Sequence, residues 1–207
     1  MLKRTKGRLL LALLVTTGLA GTLKHTSLTS QERKFAVNLM KDSKMSVLNS
    51  IKGLSDKQLN FKPSKEEWSI SQYIEHIATS ENSLWGLLDK TMKLPANPEK
   101  RSKVKFTDDA LIQMIKDCYN VPESARIFIP EKKKWKNTDQ ALADFKTQRT
   151  SHIKYLKSST EDLRNHILQM PFGYIDAYQV SLVIVAYDNL LIEKINTVIN
   201  NSRFPKS

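Results

Sequence analysis

One cysteine, Cys118, six glycines and seven prolines are all that 207 residues contain of the types that staple, loosen or break a chain. A lone cysteine excludes an intramolecular disulfide framework and any Cys-rich zinc module, so packing must hold the fold. The glycines form no phosphate-cradling loop or dinucleotide fingerprint, and no serine sits in a nucleophile elbow, which argues against nucleotide cofactors. No period-2 strand pattern of useful length and no internal repeat is present. What remains is 40% hydrophobic and 26% charged, enough apolar residue to bury a core and too much for a disordered chain. The length suits one domain plus extras.

No apolar run reaches the roughly 20 residues that a membrane-spanning helix needs. The longest weakly polar stretch, Leu9 to Leu23, is 15 residues. It follows Lys3, Arg4, Lys6 and Arg8 with no acid among them, and small residues stand at Gly18 and Ala20. A basic start, a short apolar stretch and small residues read as a secretory signal peptide over residues 1–20, with a retained N-terminal membrane anchor as the alternative. The expected product is an exported protein, periplasmic or secreted, of bacterial type. No cysteine follows the apolar stretch to accept a lipid.

The formal charge is +12, from 33 Lys and Arg against 21 Asp and Glu. Removing residues 1–20 takes four basic residues and no acidic one, leaving +8. Such a balance raises anionic partners. Two basic loops offer themselves, residues 93–105 and 131–136, the second with Lys132, Lys133 and Lys134 beside Trp135. A cationic cluster with an aromatic can grip phosphate or stack on a ring. For an exported chain the expected partner is an anionic envelope polymer or a lipid headgroup rather than nucleic acid, although charged loops are usually just solvated.

A short linker over residues 21–30 leads into a domain over residues 31–205 that reads as helices. From Gln31 to Lys52, Phe35, Ala36, Leu39, Met40, Val47 and Ile51 recur at three- and four-residue steps, and Gly53 closes the helix. Residues 54–68 read as a loop, and Ser69 caps a second helix to about Met92 with Ile70, Tyr73, Ile74, Ile77, Leu84, Trp85 and Leu88 in one stripe. Glu81 falls inside that stripe and His76 on its flank. Thr107-Asp-Asp starts a third helix to about Tyr119, with a short continuation through Phe128. A helix from Thr138 carries a thinner stripe of Leu142, Phe145, Ile153 and Leu156, then a short capped turn runs through Leu168 and Pro171-Phe-Gly173 breaks the pattern. The last helix, about Asp176 to Asn200, is apolar on most sides and belongs at the centre of a bundle. The fold class is all-α, a helical bundle of four long helices with irregular connections.

Two blocks carry a family resemblance. Leu54-Ser-x-x-Gln-Leu-Asn-Phe-Lys-Pro leads into Trp68-Ser-Ile-x-x-Tyr-Ile-Glu-His76, and Phe172-Gly-Tyr-Ile-Asp-Ala-Tyr178 precedes the last helix, with Phe204-Pro205 at the end. Together they resemble the DinB-like (DinB/YfiT) superfamily of metal-binding four-helix bundles over about residues 31–205. The resemblance implies a divalent ion, zinc, nickel or manganese, held by three histidines, one from the second helix and a pair four residues apart from the last. It also implies metal-dependent hydrolase or thiol-transferase chemistry. Two histidines at i and i+4 share a helix face, and a third from a facing helix leaves open positions for water or substrate.

Here His76 matches the first ligand, while the paired positions carry Tyr187 and Leu191. Leucine has no donor atom, and a neutral phenol, with an ordinary pKa near 10, is a poor ligand. The expectation is therefore a pocket plugged by Tyr187 and Leu191, no bound cofactor, and a non-catalytic bundle that takes a small apolar or amphipathic ligand or a partner. The alternative is an enzyme that uses His76 with unconventional donors such as Glu81, Asp188 or Tyr187. Glu193 is a further acid near the right element, and His25, His152 and His166 lack any partner spacing and read as ordinary histidines. The carboxylate of Glu81 is expected to reach the rim of the bundle, the other reading being a buried, paired acid with a functional role. Cys118 reads as a small buried side chain rather than a nucleophile. Whether the chain pairs into a homodimer through helix faces stays open.

Overall fold

The computed structural model describes residues 28–117 and 135–206. The expectations that concern residues 1–27, Cys118, the short continuation through Phe128, and Lys132, Lys133 and Lys134 lie outside the described residues.

Local chemistry fixes where the helices begin. Helix α1 spans Ser30–Ser50 behind a capping box in which Thr29 accepts from the Glu32 backbone and Glu32 reaches back to Thr29. A short α2, Asp56–Leu59, uses Ser55 and Gln58 in the same way. Helix α3, Ile70–Met92, starts at the expected cap Ser69 with Gln72 as its reciprocal partner. Helix α4 spans Asp108–Asp117 with Thr107 accepting from the Ala110 backbone, α5 spans Thr138–Ser158 behind Asn137, and α6 spans Ala177–Ile199 with Asp176 and Gln179 boxing its start. Leu28 is buried, so the packed domain begins inside the stretch read as linker. Gly53 holds φ +79°, the left-handed conformation that suits glycine after a helix end.

Helices α1 and α3 each pack on both α5 and α6, which places α1 opposite α3 and α5 opposite α6 around one core. Helix α4 lies against the outside of α6, which explains why α6 is apolar on most sides. Val180, Ile184, Tyr187, Leu191, Ile195 and Val198, the stripe expected of α6, are all buried. The α3 stripe is buried as well.

Three expectations are corrected. Phe35 is exposed and α1 buries Ala36, Val37, Met40, Ser43 and Val47, a stripe turned away from Phe35. The segment before α6 is an antiparallel hairpin, β1 Ile167–Met170 and β2 Gly173–Asp176, not a helical turn and a break. Strands of four residues are too short to show a period-2 signal, and Gly173 at φ +137° supports the turn. Trp135 is buried in the core, so its indole is not an exposed platform in a basic loop. The other basic loop contains a 3-10 turn over Pro98–Lys103, and its Arg101 is committed to Asp176 and to the Arg164 carbonyl.

Candidate functional site

Two polar groups interrupt the apolar core. The first is the pair that the sequence places at the superfamily's metal position. The His76 Nε2 and the Tyr187 hydroxyl lie 2.7 Å apart, one from α3 and one from α6, and both side chains are buried. Trp68 packs its ring 5.0 Å from the imidazole. Leu191, one turn further along the same face of α6, is fully buried. His76 thus meets a phenol where a second imidazole would stand, and the third position offers only hydrocarbon. These residues do not fit an ion that needs three donors. Among the described residues, no group of three or more His, Cys, Asp or Glu converges as a metal site would.

The second group is a charged cluster to which all four long helices contribute. Arg149 of α5 is fully buried and grips the Glu81 carboxylate of α3 with two nitrogens, its Nε donating at 2.9 Å and its Nη2 also donating. Nη2 donates to Asp188 Oδ2 of α6 at 2.5 Å as well. Nη1 donates to the Ser43 hydroxyl at 3.2 Å and to the Met40 carbonyl at 3.4 Å, both on α1. Ser43 in turn donates to Asp188 at 3.0 Å. His152 Nδ1 faces Glu81 Oε1 at 2.5 Å and donates to it, because an ionised carboxylate only accepts. The imidazole stacks flat on Trp85, with ring centroids 3.7 Å apart and planes 10° from parallel.

Burial opposes the charge on Glu81, yet Arg149 and His152 outweigh it and hold the carboxyl down at about 2. Asp188 goes the other way: burial and the neighbouring Glu81 charge outweigh Arg149 and Ser43 and push it up to about 6. Burial also works against the Arg149 charge, but its two carboxylates raise its affinity for the proton above the ordinary value. A guanidinium with five donors in a planar fork suits this position, since each face of the fork meets a different helix.

The expectation for Glu81 is therefore overturned: it does not reach the rim, because Arg149 meets it inside the core. His152 is likewise a buried member of the cluster rather than a bland histidine. Arg149 itself went unread in the sequence. The buried face of α5 is Ala141, Phe145, Arg149, His152 and Leu156, and its apolar stripe looked thin because two of its five positions are polar. Asp188 joins this cluster and not the His76 pair. Glu193 is exposed on α6, and His166 lies outside the core with its ring nitrogens at the Asp162 and Leu94 carbonyls.

Two clefts lie at the surface. One, of about 500 Å³, opens beside the first turns of α1 and α4, between Glu32, Phe35, Asp109 and Tyr178. Behind it Arg164 binds Glu32, Asp108 and Asp176 and so ties the starts of α1, α4 and α6 together. The other, of about 230 Å³, lies between the α3 end and the hairpin.

A four-helix bundle with a polar interior and a histidine of α3 at its family metal position defines the class. The model of the DinB superfamily matches residues 40–189, most of the chain, and the chain belongs to that superfamily. A solved structure, YfiT from Bacillus subtilis, described as a probable metal-dependent hydrolase with an unusual four-helix bundle topology, shares the fold with a TM-score of 0.58. That likeness covers 86% of this chain and 92% of YfiT at 12% identity. The uncharacterized protein YuaE of Bacillus subtilis is 33% identical over 57 residues, which span 28% of this chain and about a third (35%) of YuaE.

Proposed function

We propose that this chain is a DinB-superfamily bundle that holds no metal at the family position and acts by binding a ligand or partner rather than by metal-assisted hydrolysis. The observation that carries the reading is the His76–Tyr187 contact at 2.7 Å with Leu191 buried one turn away. A neutral hydrogen bond takes the place of an ion there, and the remaining donor position is apolar. The charged cluster around Arg149 supports the reading because its carboxylates are spent on a guanidinium and an imidazole and have little left for a metal or a substrate. The basic, then apolar, N-terminal residues 1–20 support export, and no described helix is long and apolar enough to cross a membrane.

The alternative draws on the description of YfiT: a divalent-metal-dependent hydrolase, or a thiol transferase of the kind the superfamily includes, with unconventional ligands around His76. One experiment separates the two. The wild-type chain and a Tyr187→His/Leu191→His variant are melted with and without added Zn²⁺, Ni²⁺ and Mn²⁺. The reading predicts no shift for the wild type and a rise of several degrees for the variant, since a ligand that binds only the folded state stabilises it. A comparable rise for the wild type would favour the enzyme. Export is checked by fractionating the producing cells and sequencing the N-terminus of the mature chain.

A further inference from the structure

The two outer helices, α1 and α5, differ from α3 and α6 in what they show to solvent. Arg33 donates to the Leu156 carbonyl at 2.5 Å and Lys44 to the Thr150 hydroxyl at 2.7 Å, so the start of α1 lies by the end of α5 and the helices run antiparallel. At 100° per residue, Lys34, Lys41 and Lys44 fall within about 80° of one another on the α5 side of α1. Lys146, Lys154 and Lys157 fall within a similar arc on the α1 side of α5. Five of these six lysines are exposed and Lys44 is half-buried. From Phe145 to Ser158 the sequence of α5 contains no acidic residue. The acids nearest the seam are Asp139 in the first turn of α5 and Asp42 on the far edge of α1, and no carboxylate among the described residues pairs with any of the six lysines.

We infer that this lysine seam docks the protein on the anionic phospholipid headgroups of a bilayer. Charge complementarity sets the sign of the partner. The shape favours a surface over a strand: two helices side by side make a convex ridge about 30 Å long, which a flat array of headgroups meets along its length and a single polymer strand does not. Lysine suits the task, being a point charge on a flexible stem that can follow mobile phosphates without fixed geometry. The hydroxyls of Thr150 and Ser151 stand among the lysines as further phosphate donors, and Met45, 54% exposed beside the seam, supplies an apolar side chain at headgroup depth. This inference does not depend on the metal-free reading, and a metal-bound protein would carry the same seam.

The test is vesicle co-sedimentation of the full chain, so that the N-terminal residues contribute equally in every variant. Vesicles containing phosphatidylglycerol are compared with vesicles of phosphatidylcholine alone. A seam variant, K41Q/K44Q/K146Q/K157Q, is set against a control that loses the same charge elsewhere, K57Q/K62Q/K65Q/K90Q. The seam variant should bind phosphatidylglycerol vesicles about a hundredfold more weakly, the control within about threefold of wild type, and wild-type binding should fall steeply as salt shortens the Debye length. Equal losses in both variants would reduce the effect to net charge and overturn the inference. So would strong binding to soluble polyphosphate with none to the vesicles, which would point to a polymer partner. Melting of both variants within a few degrees of wild type confirms that the substitutions left the fold intact.

Discussion

The core of this bundle is polar in two places, and the two solve the same problem differently. At the Arg149 cluster, four helices enclose charges, and every charge meets a partner of opposite sign or a hydrogen-bonding oxygen. At His76, two helices bring together two neutral groups that satisfy one another with a single contact. The difference shows that this sequence has kept expensive buried charge where it ties the helices to one register and has removed it where the superfamily's ion would sit. Buried ion pairs are weak sources of net stability but costly to break, so the cluster acts as a lock on the arrangement of the helices.

The comparison is broken most severely by removing the cation. Arg149→Met leaves Glu81 and Asp188 buried without a guanidinium, and urea unfolding should show a loss of about 3–5 kcal/mol, or failure to fold. A triple change that also makes Glu81 and Asp188 leucine should recover much of that loss. If Arg149→Met alone costs under about 1 kcal/mol, water reaches the cluster and the lock does not exist.

Acidity sharpens the contrast within the cluster. The folded-state value of Glu81, about 2, lies below its ordinary 4.5, so its stabilisation is present above that range and is lost as pH falls from about 4.5 toward 2. Asp188, at about 6, lies above its ordinary 3.8, so its contribution is present at low pH and is lost as pH rises through about 6. Urea midpoints measured against pH should therefore show the acid-side loss flattened in Glu81→Gln, and the decline between about pH 4 and pH 6 flattened in Asp188→Asn. An unchanged acid limb in Glu81→Gln would mean that Glu81 is not the group being protonated.

The smallest effect belongs to the neutral pair. Tyr187→Phe keeps the ring and removes one hydrogen bond to His76, and should cost about 1 kcal/mol by the same unfolding measurement. A loss as large as that of Arg149→Met would show that the pair carries charge after all.

Much of the fold was legible because it rests on periodicity and caps. Ser69, the α3 stripe and the six inner residues of α6 follow from spacing alone. The hairpin was not legible, since four-residue strands leave no alternation to count. Of the two polar groups, the His76–Tyr187 meeting was legible from the family's ligand spacing. The cluster was half legible: Glu81 stood out as an acid in an apolar stripe, but its partner lies 68 residues away, and nothing local in α5 announces a buried guanidinium. The signal that could have found it is the gap in the α5 stripe, where Arg149 and His152 occupy the phase that Phe145 and Leu156 define. An acid and a base each on the buried phase of its own helix are a pair to be matched across the bundle.

The most direct test of the central claim is the metal content, by elemental mass spectrometry, of the chain purified without a histidine tag. The account predicts far less than one divalent ion per chain. Near-stoichiometric zinc, nickel or manganese would contradict it, because His76, Tyr187 and Leu191 could not then be the residues that decide the chemistry of this site.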